Sequence, residues 1–266
     1  MPSNFYELFL YFLLYSMLGW LCEEIYCSVP AGRIVNRGVL HGPYCPIYGF
    51  GGLAVLFLLQ PFREHVVLVF LAGMLVTSLL EYITSYIMEK IFHSVWWDYS
   101  DHRFNINGRV CLLNSFLFGV LSVLLMYLIH PAMHRLISRI PGEYLSAIST
   151  VCMVIFAVDV TSTAHTLSNF LRIMRKMHAL REEMSEKLAQ IEQEHRAAFT
   201  AEFEAKRAAL SDYLSRRSGR LLAAFPKLHS AEFDAQLSEL RAAIRDRAAE
   251  RREARRQKKM SRSKRG

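Results

Sequence analysis

The sequence is short of cysteine, of nucleotide- or metal-holding motifs, and, over most of its length, of charge. Five cysteines (Cys22, Cys27, Cys45, Cys111 and Cys152) are scattered through 266 residues. Their number is odd and no two stand in C-x-x-C spacing, which excludes a disulfide scaffold and argues against zinc or iron–sulfur binding. Four of them lie in or beside apolar runs, where a free thiol acts as a small packing group. There is no G-x-x-x-x-G-K-[ST] phosphate loop, and Gly49-Phe50-Gly51 follows no strand. No metal or cofactor is expected. Charge is sparse and segregated. Residues 1–171 hold 8 Lys+Arg and 10 Asp+Glu, whereas residues 172–266 hold 24 and 14. A 52% hydrophobic content and a net charge of +8 coexist because the apolar side chains are concentrated in the first part. That pattern excludes an ordinary soluble enzyme and a disordered chain. The expected organisation is a transmembrane helical domain over 1–171 and a cytoplasmic basic tail over 172–266.

About 20 mostly apolar residues carry a helix across a bilayer. Five stretches approach that length: about Asn4–Ile25, Pro43–Gln60, His65–Met88, Val110–Ile129 and Glu143–Phe170. The second is short and broken by Pro43, Pro46, Gly49, Gly51 and Gly52. The first lacks a basic leader and ends in Cys22-Glu23-Glu24, so it is not expected to be a cleaved signal. The expected fold is all-α, a polytopic membrane bundle of about five spans with the second short or broken. Arg172, Arg175 and Lys176 open the basic tail and should hold it in the cytoplasm. Five spans then leave the N-terminus outside, with the loops after the first and third spans inside. A re-entrant second segment would reduce the count to four and reverse the N-terminus.

Ionisable groups inside a bilayer need partners or water. Glu23 ends the first span, Glu81 lies well within the third and Asp159 within the fifth. Helical spacing places each on a small or hydroxyl stripe: Ser16, Gly19, Glu23; Thr77, Glu81, Thr84, Ser85; Asp159, Ser162, Thr163, Thr166. Ser115, Gly119 and Ser122 make a fourth. Such stripes also serve close helix packing in lipid, so a hydrogen-bonded bundle seam is the plain alternative. Glu81 is expected about 12 Å from the inner end of its helix. Arg37 and Arg109 are the expected partners of these carboxylates, in a polar pocket open to the cytoplasm.

Two loops carry the remaining candidates. The first reads Asn36-Arg37-Gly38-Val39-Leu40-His41-Gly42-Pro43-Tyr44-Cys45-Pro46-Ile47-Tyr48-Gly49. Its prolines and glycines forbid a continuous helix. Irregular backbone at membrane depth is tolerated where protein covers it or it lines a cavity. The second reads Trp96-Trp97-Asp98-Tyr99-Ser100-Asp101-His102-Arg103-Phe104-Asn105-Ile106-Asn107-Gly108-Arg109. Its paired tryptophans suit an interfacial belt. His93, Asp98 and His102 match no strong ligand spacing. The pocket candidates are therefore Glu23, Asn36, Arg37, Tyr48, Glu81, Asp98, Asn105, Arg109 and Asp159.

Taken in order, Gly19-Trp20-x-x-Glu23, Asn36-Arg37-Gly38, Gly42-Pro43-x-x-Pro46-Ile47-Tyr48-Gly49, Glu81-Tyr82, Trp97-Asp98-Tyr99-Ser100, Phe104-Asn105, Gly108-Arg109 and His130-Pro131 resemble a bacterial membrane family labelled ABC-transporter type IV, or CmpB-like. The resemblance covers about Phe5–Pro131. It implies a multi-pass protein of the bacterial plasma membrane, permease-like, with ATP hydrolysis left to a separate ATPase subunit. Five spans are few for a translocation path, so under that reading a homo-oligomer is expected.

The tail carries Leu180, Met184, Leu188, Ile191, His195 and Phe199 at spacings of 3 and 4, a coiled-coil seam or a solvated helix. Gly219 and Pro226 interrupt it. A second short helix follows, with Phe233, Leu237, Leu240 and Ile244 on one face and Ser230 as N-cap. Arg241–Gly266 holds 12 Lys+Arg and 3 acids, and disorder is expected there. Such a stretch suits anionic lipid. It has no aromatic residue to stack on bases, which counts against sequence-specific nucleic-acid binding. The preferred function is movement of a small molecule or ion through the pocket. The alternatives are a membrane-embedded enzyme, for which no nucleophile–base pair stands out, and an assembly or scaffold protein acting through its tail.

Overall fold

The computed structural model describes residues 2–32, 38–190 and 196–263. Among them the chain is helical apart from one two-stranded hairpin. It forms two compact units, residues 1–165 with 224–228 and residues 166–223 with 229–266.

The first unit begins with α1 (Phe5–Ala31). Asn4 starts it by accepting the Glu7 amide at 2.9 Å, which satisfies one of the orphan donors of a helix N-terminus. Gly32 stops it in the left-handed region (φ 59°), a conformation that glycine adopts at little cost. α2 (Pro46–Leu59) has 14 residues. At 1.5 Å per residue it spans about 21 Å, short of the ~30 Å hydrocarbon core. α3 is Val66–Phe92 and α4 is Leu112–Leu124. A π turn over Leu125–Ile129 joins α4 to α5 (His130–Ile137). Pro131, lacking an amide hydrogen, is a physical reason for the loosened turn just before it. α6 runs Gly142–Gln190 without a break at Arg172. Among the described residues, four helical stretches are long and apolar enough to cross a membrane: Phe5–Val29, Val66–Phe92, Leu112–Ile137 and Gly142–Leu188. The expected second span is the exception, being a helix too short to cross, preceded by irregular chain.

The contacts give the helix directions. Tyr11 bonds His134 and Tyr15 bonds His130, so the α4–α5 run is antiparallel to α1. Ser78 faces Ser115, and a Cβ on Gly73 would strike Ser122, so α3 is antiparallel to α4 and parallel to α1. Ser149 donates to the Tyr6 carbonyl and Phe156 meets Phe9 and Phe12 edge to face, so α6 is also parallel to α1. α2 returns between α1 and α3. Cysteine 45, just before it, donates its amide to the Ser16 carbonyl, halfway along α1 (2.9 Å).

The seams are the small-residue stripes. A Cβ on Gly49 would meet the Phe12 carbonyl oxygen at 2.7 Å, and one on Gly19 would strike the Tyr48 ring. Ser115, Gly119 and Ser122 are buried on α4, as are Gly73, Glu81 and Ser85 on α3. On α6 only Asp159 and Thr163 of the expected stripe turn inward; Ser162 and Thr166 are exposed. Leu56, Leu59, Val69 and Met126 close one core, and Leu10, Tyr11, Tyr15, Ile137 and Leu145 another. The outward faces are apolar, among them Val67, Leu71, Leu75 and Leu79 on α3 and Val151, Ile155 and Val158 on α6. Surface of that kind requires lipid. The protein is an all-α membrane helix bundle.

The second unit contains the later part of α6, α7 (Arg196–Arg217), α8 (Gly219–Ala224) and α9 (Asp234–Ser263). Phe203, Leu214, Phe233, Leu237 and Leu240 are buried in it. Arg207 pairs with Glu239 at 2.8 Å, and Arg247 pairs with Asp212. The Ser230 hydroxyl accepts the Phe233 amide at 3.2 Å. The chain is helical well into the basic stretch where disorder was expected, in keeping with the strong helix propensity of its Ala, Arg and Glu residues. Along α6, Ile173, Met174 and Met177 are buried while Leu180, Met184 and Leu188 are only half-buried; Ile191 and His195 of the expected seam lie outside the described residues.

Candidate functional site

The bundle holds two polar clusters. The first gathers Glu23 from α1, Tyr48 from α2, Glu81 from α3 and Tyr99 from the loop after α3. Glycine 19, one turn before Glu23, has no side chain, and the Tyr48 ring occupies that space. Tyr48 thereby reaches Glu23 and donates its phenol to Oε2 at 2.6 Å. Tyr99 donates to Glu81 Oε1 at 3.1 Å. Glu81 is only 6% exposed, and its Oε2 has no hydrogen-bond partner among the described residues. Glu23 is close enough to act electrostatically on Glu81 and on Tyr99. Burial, followed by the charges of Glu81 and Glu23, pushes the Tyr99 phenol well up, so it stays a donor at physiological pH.

The loop that brings Tyr99 to Glu81 is built by its own polar side chains. Strands β1 (Asn105–Ile106) and β2 (Val110–Cys111) pair antiparallel around a turn in which Asn107 and Gly108 both have positive φ (53° and 66°). This is the geometry that favours Asn-Gly. Asn105 accepts the Gly108 amide (3.0 Å) and donates to the His102 carbonyl (2.8 Å). Asp98 accepts from the Ser100 amide and hydroxyl (2.8 and 2.5 Å), and a Cβ on Gly108 would press on its carboxylate. The Tyr99 amide donates to the Gly108 carbonyl at 2.8 Å, which ties the phenol to the hairpin. Asp98 and Asn105 thus shape the loop that carries Tyr99. Trp96 is packed against Phe92 and Phe225, with ring centroids at 5.4 and 4.9 Å, rather than standing in an exposed belt. Lys227, in the same short segment as Phe225, reaches Asp101 at 3.0 Å.

Arginine 109 pairs with Glu89 instead of Glu81. Its guanidinium donates to Glu89 Oε2 at 2.5 Å and to Ser85 Oγ at 3.2 Å, and lies over the rings of Tyr82 and Tyr86. Glu89 is two turns of α3 beyond Glu81, about 12 Å along the axis. Asn36 and Arg37 lie outside the described residues.

The second cluster surrounds Asp159 of α6. Its Oδ1 accepts the His41 amide (3.0 Å) and the Thr163 hydroxyl (3.1 Å), and the His41 ring Nδ1 lies 3.0 Å away. Its Oδ2 accepts the Gly42 amide and the Tyr44 phenol, both at 2.7 Å. Backbone and phenol donors, not an arginine, satisfy this carboxylate. Nearer the start of α1, Tyr11 and Tyr15 share hydrogen bonds with His134 (2.8 Å) and His130 (2.7 Å). Tyr11, Tyr15, Gly19 and Glu23 stand at steps of four, so one face of α1 carries a hydroxyl, imidazole and carboxylate file.

Sequence reasoning passed over His41, Tyr44, Tyr99, Glu89 and the two histidines of the file. His41, Tyr44 and Tyr99 stood inside the motifs already singled out, and Asn107-Gly108 was the signal for the hairpin. Among the described residues no three His, Cys, Asp or Glu side chains converge in a way that would hold a metal.

No curated protein and no solved structure matches the chain. A family profile does, over residues 10–164, which covers α1 through the Asp159 cluster and so both polar sites. The chain belongs to the membrane-protein family described as "Putative ABC-transporter type IV".

Proposed function

We propose that the protein is the membrane subunit of a transporter and moves a small molecule or ion through the polar interior of its bundle. The observation that carries this reading is Glu81: a nearly fully buried carboxylate with one oxygen unpaired among the described residues, beside Glu23, Tyr48 and Tyr99, amid apolar helices. An intramembrane carboxylate is costly and is kept where it does work. The short α2, preceded by irregular chain against Asp159, has the form that transporters use to line a site. Glu23, Tyr48 and Glu81 would contact the cargo. Asp98, Asn105 and Arg109 would position the loop and the far end of α3, and Asp159 would hold the irregular segment. Asn36 and Arg37 would complete the site from the first loop.

Because α1 and α3 are parallel, residues 38–62 would form a fifth crossing, half extended and half helical. With five crossings, the positive-inside rule would favour an N-terminus outside and a tail in the cytoplasm of a bacterial cell. The tail would be a module of its own, its Arg241–Gly266 stretch attracted to anionic lipid. Having no phosphate loop, the chain would depend on a separate ATPase and act as a homo-oligomer. Phe225 and Lys227, which belong to the first unit, hold the loop that carries Tyr99.

The test is reconstitution. The full chain, with any ATPase that co-purifies in mild detergent, is placed in proteoliposomes. Uptake of labelled amines, amino acids, sugars and monovalent cations is then measured with and without ATP. Uptake above that of empty liposomes, reduced at least tenfold by Glu81→Ala, is expected. No uptake of any compound above the empty-liposome level would refute the reading.

A further inference from the structure

We propose that Glu23, Tyr48, Glu81 and Tyr99 form a binding site for a small monovalent cation, a proton or a sodium ion. That this ion is cargo or coupling ion rests on the transport reading above; the site itself does not.

The argument is one of donors and charge. Two carboxylates meet two phenols, and each phenol spends its only hydrogen on one carboxylate oxygen. Tyr99, which stays protonated, serves Glu81 Oε1, and Oε2 is left buried without a donor. A buried carboxylate oxygen in that condition costs free energy unless a positive group comes to it. The described arginine on that side of the bundle, Arg109, is committed to Glu89 and Ser85. Among the described residues no hydrogen-bond donor reaches Oε2, and a guest cation would supply the missing charge. All four groups offer hard oxygen, which suits a proton or an alkali ion and not a soft metal. Two carboxylates are too few for a divalent site, which draws on six or more oxygens. Among the described residues, the other titratable groups bordering the cluster are thiols: Cys27, whose Sγ donates to Glu23 Oε1 at 3.7 Å, Cys22 beside Glu23, Cys45 near Tyr48 and Cys111 near Tyr99. Tyr15 and Tyr11, with His130 and His134, continue the same face of α1 towards its start and would serve as the approach.

The full chain in lipid nanodiscs tests this without any transport assay. Melting is followed in sodium chloride against equal choline chloride, and infrared spectra are compared between pH 8 and pH 6. A sodium site predicts a melting midpoint about 3 °C higher in sodium than in choline, a difference abolished by Glu81→Gln. A proton site predicts no sodium effect, and a protonated-carboxyl band on acidification that Glu81→Gln removes and Tyr99→Phe shifts. If Glu81→Gln does not fold, the wild-type titrations and Tyr99→Phe decide. Absence of both a sodium effect and a carboxyl band, or a band that persists unchanged in both variants, overturns the proposal. Ion binding without flux would refute transport and leave the site standing, while flux with neither ion signature would do the reverse.

Discussion

Replacing Asp159 by Ala should release the irregular segment that leads into α2. The side chain accepts hydrogen bonds from the His41 and Gly42 amides and from the Tyr44 phenol. The His41 side chain is half exposed, so water can replace what that residue loses. The Gly42 amide and the Tyr44 phenol cannot be rescued so easily, since Tyr44 is buried. A hydrogen bond to a charged acceptor is worth about 1.5–3 kcal/mol, so these two together amount to roughly 3–6 kcal/mol. At about 1.4 kcal/mol per factor of ten, the lower figure already raises the detached population more than 100-fold. Cys45, next to Tyr44 and half-buried, reports this directly. With the other four cysteines changed to Ser, maleimide labelling of Cys45 should be at least 100-fold faster in Asp159→Ala than in the parent. Asp159→Asn, which keeps one acceptor oxygen, should fall between. Labelling of Asp159→Ala within twofold of the parent would refute the reasoning.

Two further outcomes follow from the packing and the charges. Gly49→Ala should destabilise the protein by about 1–3 kcal/mol, because its Cβ would press on the Phe12 backbone; Gly51→Ala, with open space around it, should melt within a degree of wild type. Tyr99 ionises later in the folded protein than in the unfolded chain, where the phenol has its ordinary pKa of about 10. Its contribution is therefore complete below about pH 10 and lost as the pH rises beyond it, so the melting midpoint should fall between pH 10 and 11. Tyr99→Phe should flatten that fall, and an unchanged slope would count against the phenol being buried beside the two carboxylates.

Much of the bundle was legible in advance because a membrane span is written locally. An apolar run of sufficient length must become a helix whose backbone bonds close within itself. Gly19 and Gly119 likewise announce seams, since a missing side chain at helical spacing marks where a neighbour comes close. The turn made by Asn107 and Gly108 was equally local and simply passed over. Partner choice was not local. Arg109 and Glu81 looked like a pair on charge alone, yet Arg109 lies at the Glu89 level of α3, two turns from Glu81. Asp159 was expected to meet an arginine, whereas backbone amides, identical in every residue, became its donors when the chain around Gly42 folded against α6.

The linear order of residues by itself determined which stretches enter the membrane as helices, which faces of them are small or polar, and where α2 is cut short by Pro46. The tertiary structure alone decided that Tyr48 fills the space at Gly19 to reach Glu23, that Tyr99 serves one oxygen of Glu81, and that the other oxygen is left without a donor. The reason is one of range. Helix formation and facing depend on neighbours within four residues, whereas the partners of a buried charge are set by how separate helices pack, which one helix's periodicity does not encode.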